Sequence, residues 1–279
     1  MKFCDLHVHS TFSDGTYAPR QILEFAKRQF LTALALTDHN TIDGIPSFLQ
    51  AAKDFDIECI AGVEISSEYQ GKSLHIVGLF LPEKEFDAIK DFLAIPQKRK
   101  QQSNDALAVS LNKNGYKVDY ERIKAQAKGQ INRVHFANEL IANGYVDSVA
   151  TACQTILSED GGIYVPPKRL TAFEVIDFLK NIKAVPVLAH PLLDLSREEL
   201  SVFLPIAKRY GLVAMETNYS TYTDEEIDFS IKVANEFGLL TSGGSDFHGD
   251  NKPNIKIGIG EGDLKVPYDY AVKMKNSIR

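Results

Sequence analysis

At 279 residues, 44% of them hydrophobic and 24% charged, the chain has the composition of a soluble globular protein and the length for one large α/β domain or one domain with an insertion. A formal charge of −6 argues against a phosphate-backbone binder that relies on a basic surface, but not against a local basic pocket or a metal site that supplies its own positive charge. Cys4, Cys59 and Cys153, odd in number and far apart, read as reduced core thiols, and no apolar run approaches the roughly 18 residues of a membrane span, so a cytoplasmic protein without membrane attachment is expected.

In chain order, "DLHVH" opens as a short strand. "APRQILEFAKRQF" follows as an amphipathic helix with Pro19 in its first turn. "LTALALTDH" is a buried strand, "IPSFLQAAKDF" a second amphipathic helix, and "IECIAGVEI" and "SLHIVGLFL" two further strands. This β–α alternation predicts a mainly parallel sheet with helical crossovers. The rhythm breaks at residues 83–165, where "FDAIKDFLAIPQKRKQQSNDALAVSLNKNG", "YERIKAQAKG", "NRVHFANELIANG" and "SVATACQTILSEDGG" read as successive helices. That stretch is expected to be an inserted α-helical subdomain in a barrel domain formed by 1–82 and 166–279. Alternation resumes with a helix at "TAFEVIDFLKNI", where Thr171 and Glu174 match a capping box, as Ser196 and Glu199 do in "SREELSVFLPIAKRYG". With the strands "AVPVLAH", "LVAMETNY" and "LLTSGGSDFH", the count reaches roughly seven, enough to close an α/β barrel of the distorted (β/α)7, TIM-like kind.

The histidines carry the functional signal. His7 and His9, two apart, project together if the segment is extended, and the polar turn "STFSDG" lets Asp14 fold back over the same strand end. His39, His75, His190 and His248 also lie on or at the ends of strands, accompanied by Asp38, Glu64 and Asp246. Strand ends of a parallel barrel open on one face, and so many polar groups buried there without metal would be costly. Imidazole and carboxylate donors without thiolate suit manganese, iron or zinc, and nine donors suit two or three ions.

The ordered segments "DLHVHSTFSDG", "ALTDHNTIDGI", "GVEIS", "LHIVGLF", "VLAHP" and "GSDFHG" followed by "KPNIKIGIG" resemble the motifs of the PHP (polymerase and histidinol phosphatase) family, in its stand-alone bacterial phosphoesterase branch. The resemblance covers nearly the whole chain. It implies a distorted seven-stranded barrel, a metal cluster at its strand ends and hydrolysis of phosphate esters. It also implies ligand groups of His7, His9, Glu64 and Asp246; of Glu64, His75 and His190; and of Asp14, His39 and His248. Members similar to this chain remove the 3′-phosphate of nucleoside 3′,5′-bisphosphates or trim RNA from its 5′ end. The expected partner is therefore a small phosphorylated substrate, a nucleotide or short RNA, with no stable protein partner.

Clustered divalent ions lower the pKa of a bound water and neutralise the phosphoryl group, so in-line attack by metal-bound hydroxide is expected, with no side-chain nucleophile. Arg20 and Arg133 are candidates to grip phosphate oxygens, with His135 beside Arg133 and Lys168 where the chain returns to the barrel. Arg20 and His135 read equally well as ordinary helix residues. Asp38 is expected to orient a ligand. Glu216 fits either that role or a structural one. Tyr116, Tyr120, Tyr145 and Tyr164 either stack bases or pack helices. A phosphatase for another small phosphomonoester such as histidinol phosphate, a metal-binding regulatory protein and a C–N hydrolase stand as alternatives.

Overall fold

The computed structural model describes residues 2–126, 131–159 and 161–278, and the chain divides into two units, Met1–Leu93 with Leu170–Arg279, and Ala94–Arg169. In the first unit seven strands form one sheet in sequence order: β1 (Cys4–Asp5), β2 (Ala33–Leu36), β3 (Glu58–Tyr69), β4 (Lys72–Leu79), β5 (Val185–Leu188), β6 (Ala214–Tyr219) and β7 (Leu240–Gly244). The edges meet beyond β1. Leu6 N–H donates to Gly243 O (3.2 Å), Asp246 N–H to His7 O (2.8 Å) and His9 N–H to Phe247 O (2.9 Å), closing the sheet into a distorted seven-stranded α/β barrel.

Helices α1 (Pro19–Arg28), α2 (Ile45–Ala52) and α3 (Phe86–Leu93) follow β1, β2 and β4. Within the second unit lie α4 (Ile95–Lys113), α5 (Tyr120–Gln126), α6 (Arg133–Ala142) and α7 (Val149–Gln154). Back in the first unit, α8 (Ala172–Asn181) leads into β5. It is followed by α9 (Pro191–Asp194), α10 (Arg197–Tyr210), α11 (Asp224–Glu236) between β6 and β7, and α12 (Tyr268–Ser277). The capping boxes form: Thr171 N–H donates to Glu174 Oε2 (2.8 Å) and Glu174 N–H returns to Thr171 Oγ1 (3.1 Å), and Ser196 and Glu199 do the same. None of the helices among the described residues is long and apolar enough to cross a membrane.

Two features depart from the sequence expectation. The sheet is not simply parallel, because β4 runs antiparallel to both β3 and β5. No helix separates β3 from β4. They form a hairpin in which Tyr69 opposes Lys72 and the two-residue loop Gln70–Gly71 has φ of 50° and 81°, the left-handed pair that fits the strand twist of a tight hairpin and that glycine adopts freely. The second is α12, whose Ala271 and Met274 join Leu264 and Val266 against Cys4, Leu6, Ala33 and Ala35 and so close the barrel interior from below.

The second unit has its own core, in which Leu107 and Leu111 of α4 meet Phe136 and Leu140 of α6 with Ala152 and Leu157. Residues 127–130, the first three of which end the expected "YERIKAQAKG" helix, and residue 160 lie outside the described residues.

Met274 is fully buried in the barrel floor, so Met274→Ala leaves a cavity and is expected to cost about 2–5 kcal/mol of stability. Denaturant titration of the two proteins checks this; an unchanged midpoint would contradict the assigned floor.

Candidate metal centre

Glu64 sits in the middle of β3, on the face that also carries Ile60 into the barrel core, and it is fully buried. Its N–H lies 3.2 Å from both Thr37 O and Asp38 O, and its carbonyl accepts from Asn40 N–H (2.8 Å), so the chain after β2 is drawn along it and His39 arrives alongside. His75 stands on the adjacent reversed strand opposite Ser66, diagonal to Glu64 on the same face. Five imidazoles converge on this one carboxylate. His7 Nε2 (3.1 Å), His9 Nε2 (3.2 Å) and His39 Nδ1 (3.0 Å) meet Oε2, and His75 Nδ1 (2.9 Å) and His190 Nε2 (3.1 Å) meet Oε1.

The remaining donors lie beside them. Asp246 Oδ1 is 3.1 Å from His9 Nε2, 3.7 Å from His7 Nε2 and 3.3 Å from His248 Nδ1. Asp14 Oδ1 is 3.2 Å from His248 Nε2, and Asp14 Oδ2 is 3.8 Å from His39 Nε2. Three overlapping groups, His9–Asp14–His39–His248, His7–His9–Glu64–Asp246 and His39–Glu64–His75, each hold ligand atoms within 4.8 Å of one another. His190 belongs to none of these three and joins through Glu64. His7, His9 and Glu64 are sealed in the protein, whereas the side chains of His39 and His75 are partly exposed and that of Asp14 is 55% exposed, so the cluster opens towards solvent on that side.

The donor set fits metal ions. His7 Nε2, both ring nitrogens of His9, Glu64 Oε2, His75 Nδ1 and His190 Nδ1 are buried and make no hydrogen bond of proper geometry, although each has an ionisable neighbour, from 2.9 Å for His75 Nδ1 to 3.8 Å for His9 Nδ1. Buried donor atoms that converge without hydrogen bonds are what a cation satisfies. Burial opposes charge on His7, but Glu64, Glu216 and Asp246 overcome it and hold the imidazole well above its usual range. His190 is raised to about 10: burial works against this, and the hydrogen bonds of Asp194 and Glu64 outweigh it. Glu64 and Asp246, despite burial, are held well below the carboxylate range, His7 being the largest opposing influence on each. His248 goes the other way, pushed down to about 4 by burial and then by the charge of His9.

A ring of further groups aims the donors. Glu216 Oε1 lies 3.0 Å from His7 Nδ1 and its Oε2 accepts from His190 N–H at 2.7 Å, which turns His7 Nε2 towards Glu64. Asp38 accepts from Ser10 N–H, Ser10 Oγ and Ser13 Oγ, each at 2.7 Å, and so shapes the loop that carries Asp14. Two groups escaped the sequence reading. Asp194 Oδ2 stands 3.3 Å from His190 Nδ1. Asp5, wholly buried, accepts from the N–H groups of His7 (3.3 Å), Ser245 (2.8 Å) and Gly258 (2.7 Å), tying the segment of His7 to the segment before Asp246. Their signal was a carboxylate within an apolar strand for Asp5 and an i,i+4 spacing from His190 for Asp194. A Cβ on Gly244 would lie 2.5 Å from His7 N, so only glycine lets the last strand pass this close. His190 (φ 26°) and Asp246 (φ 54°) both occupy left-handed backbone, a strained conformation for these residues and one that redirects each side chain at a strand end.

The residues expected to contact phosphate have local partners. Arg20, exposed on α1, is bonded to Asp54 at 2.7 Å, which favours the helix-surface reading. In the second unit Arg133 stacks over Tyr164 (4.9 Å) with Glu159 at 3.7 Å, His135 Nδ1 bonds Asn132 at the start of α6, and the exposed Lys168 offers its carbonyl to Arg99. Tyr116 packs edge-on to Tyr145, Tyr120 stacks on Phe136 and Tyr164 is buried, so all four tyrosines pack helices there.

Two outcomes follow from this geometry. Glu216→Gln removes the charge behind His7 and should weaken metal binding about 10–100-fold, read by titrating metal into both proteins; equal affinities would remove Glu216 from the supporting ring. Because neighbouring carboxylates hold His7 and His190 above the usual imidazole range, metal uptake should release protons and its affinity should fall as pH falls. Calorimetry in buffers of different ionisation enthalpy measures that release.

The sequence matches the PHP domain over residues 5–165. It is 32% identical to a 5′-3′ exoribonuclease of Haemophilus influenzae, over 88% of this chain and 89% of that protein. It is 27% identical to a 3′,5′-nucleoside bisphosphate phosphatase of Chromobacterium violaceum, over 91% and 90%. A crystal structure from Bifidobacterium adolescentis, assigned as a metal-dependent phosphoesterase, superposes with a TM-score of 0.64 at 26% identity, covering 98% of this chain and 95% of that one. With a cluster able to hold metal at the mouth of such a barrel, the chain belongs to the PHP domain family and is a metal-dependent phosphoesterase.

Proposed function

We propose that this phosphoesterase acts on nucleotides, removing the 3′-phosphate of nucleoside 3′,5′-bisphosphates, trimming short RNA from its 5′ end, or both, with two or three ions of manganese, iron or zinc. The observation that carries the reading is the Glu64 carboxylate met by five imidazoles with Asp246 and Asp14 alongside, a nitrogen and oxygen donor set without thiolate. The proposed ligands are His7, His9, Asp14, His39, Glu64, His75, His190, Asp246 and His248. Relatives named for RNA and for nucleoside bisphosphates support the substrate class. Arg133, which the sequence resemblance favours, and His135 and Lys168, named for their sequence positions, are kept as substrate contacts, and a cytoplasmic location accompanies the three unpaired cysteines.

When bound, divalent ions neutralise the anionic phosphoryl group and acidify the attacking water. The chain's own residues prepare that site. Glu216 holds the Nδ1 side of His7, Asp38 fixes the loop of Asp14, and the buried His7–His9–Glu64 floor excludes water from below while the edge at Asp14, His39 and His75 stays open to an incoming anion.

Phosphate release from adenosine 3′,5′-bisphosphate, AMP, histidinol phosphate and a 5′-phosphorylated RNA oligonucleotide tests the proposal, with Mn²⁺ and after chelation, for the wild type and His9→Ala. The expected result is release from the bisphosphate or the RNA that chelation and the substitution both abolish. Release from histidinol phosphate alone would replace the substrate class, and no release from any of the four by metal-loaded protein would overturn the activity.

A further inference from the structure

Asp246 carries a cation that ligation does not require. Lys252 Nζ lies 2.7 Å from Asp246 Oδ2, and the Tyr219 hydroxyl donates to the same oxygen, also at 2.7 Å. The other oxygen, Oδ1, faces His9 Nε2 and His248 Nδ1. The carboxylate is thus divided, one oxygen turned to the imidazole cluster and one held by two donors. Tyr219 is buried, but the Lys252 side chain is 41% exposed. An ammonium has three hydrogens, so one on Asp246 leaves two for another acceptor.

The position of Lys252 is set by its surroundings. It follows the short turn Gly249–Asn251, which is tied to the loop of Asp14 by three hydrogen bonds. Asn251 Nδ2 donates to Asp14 O (2.7 Å), Asp250 N–H to Thr16 Oγ1 (2.9 Å) and Tyr17 OH to Asp250 Oδ1 (2.9 Å). Asp14 in turn reaches His248 Nε2 at 3.2 Å. The ammonium therefore stands beside Asp246 on a segment clamped to Asp14, the most exposed member of the cluster.

We propose that Lys252 is a catalytic residue of this site, binding a non-bridging oxygen of the phosphoryl group from the solvent side; the proposal rests on the phosphoesterase reading. Cations held by the cluster would lower the negative potential at Asp246; Tyr219 satisfies Oδ2 by itself, which leaves Lys252 able to turn to a phosphoryl oxygen. A lysine suits this better than an arginine. Its point charge on a flexible stem moves from one oxygen to the next without needing the planar two-pronged match of a guanidinium.

The test uses the full chain loaded with Mn²⁺ and inorganic phosphate as probe. Lys252→Met keeps the apolar stem and removes the charge; Lys252→Arg keeps the charge. Metal per chain is measured first, then phosphate affinity by calorimetry, then KM and kcat on whichever substrate the wild type hydrolyses. The expected result is unchanged metal content in both variants, phosphate binding weakened about tenfold or more in Lys252→Met, and partial recovery in Lys252→Arg. Unchanged phosphate affinity in metal-loaded Lys252→Met overturns the proposal. So does loss of metal with no separate loss of phosphate affinity, because Lys252 would then act only on Asp246. Failure of metal-loaded wild type to bind phosphate overturns the phosphoesterase reading itself, a result that the variants alone cannot produce.

Discussion

Burying the Glu64 carboxylate in the barrel mouth removes an anion from water, and only positive charge at close range offsets that desolvation. Five imidazoles supply the shell on four pieces of backbone: His7 and His9 after β1, His39 after β2, His75 on β4 and His190 after β5. The reversal of β4 serves the same end. His75 is the fourth residue of an eight-residue strand, near its start, and in a parallel β4 that start would lie at the barrel floor. Running β4 back from the Gln70–Gly71 turn brings His75 diagonal to Glu64 instead.

What was legible in the sequence was the chemistry of strand ends. Histidines and carboxylates that interrupt otherwise apolar runs stand out because burying them is costly, and that signal found the histidines that meet around Glu64 and Asp246, though not Tyr219 or Lys252 on Asp246. The strands were legible for the complementary reason: four to eight apolar residues between turn signals leave little alternative. The direction of β4 was not, because strand direction depends on what lies between strands, and "SSEYQGK" carries only the Gln-Gly pair to mark a hairpin. The helix α12 escaped because its buried positions are just Ala271 and Met274, too sparse for a periodic pattern.

The supporting groups show the limit more sharply. Asp5, Glu216 and Lys252 reach their partners across sequence separations of 240, 209 and 6 residues respectively, to Ser245, His7 and Asp246. The first two are set by the pairing of strands distant in the chain, which composition and periodicity do not encode. Lys252 is close in sequence, yet it reads as one more surface lysine unless the turn Gly249–Asn251 is known to fold back on the Asp14 loop. The arginines pose the converse problem. Arg20 and Arg133 stand out by charge, but charge on a helix is easily met locally, as Asp54 and Glu159 do here.

The seam of the barrel and the metal cluster are built from the same residues. Asp246 N–H bonds His7 O, and His9 N–H bonds Phe247 O, so the backbone bonds that close β1 onto β7 belong to residues whose side chains face the cluster. On this seam His7 and His9 hold buried ring nitrogens that lack hydrogen bonds, and Asp246 stands in left-handed backbone. Ions that bind the folded cluster and not the unfolded chain stabilise the fold by mass action, about 2.7 kcal/mol at a hundredfold excess over Kd. The backbone bonds that close the barrel and those that place His7, His9 and Asp246 in the cluster are therefore the same bonds, so loosening either loosens both.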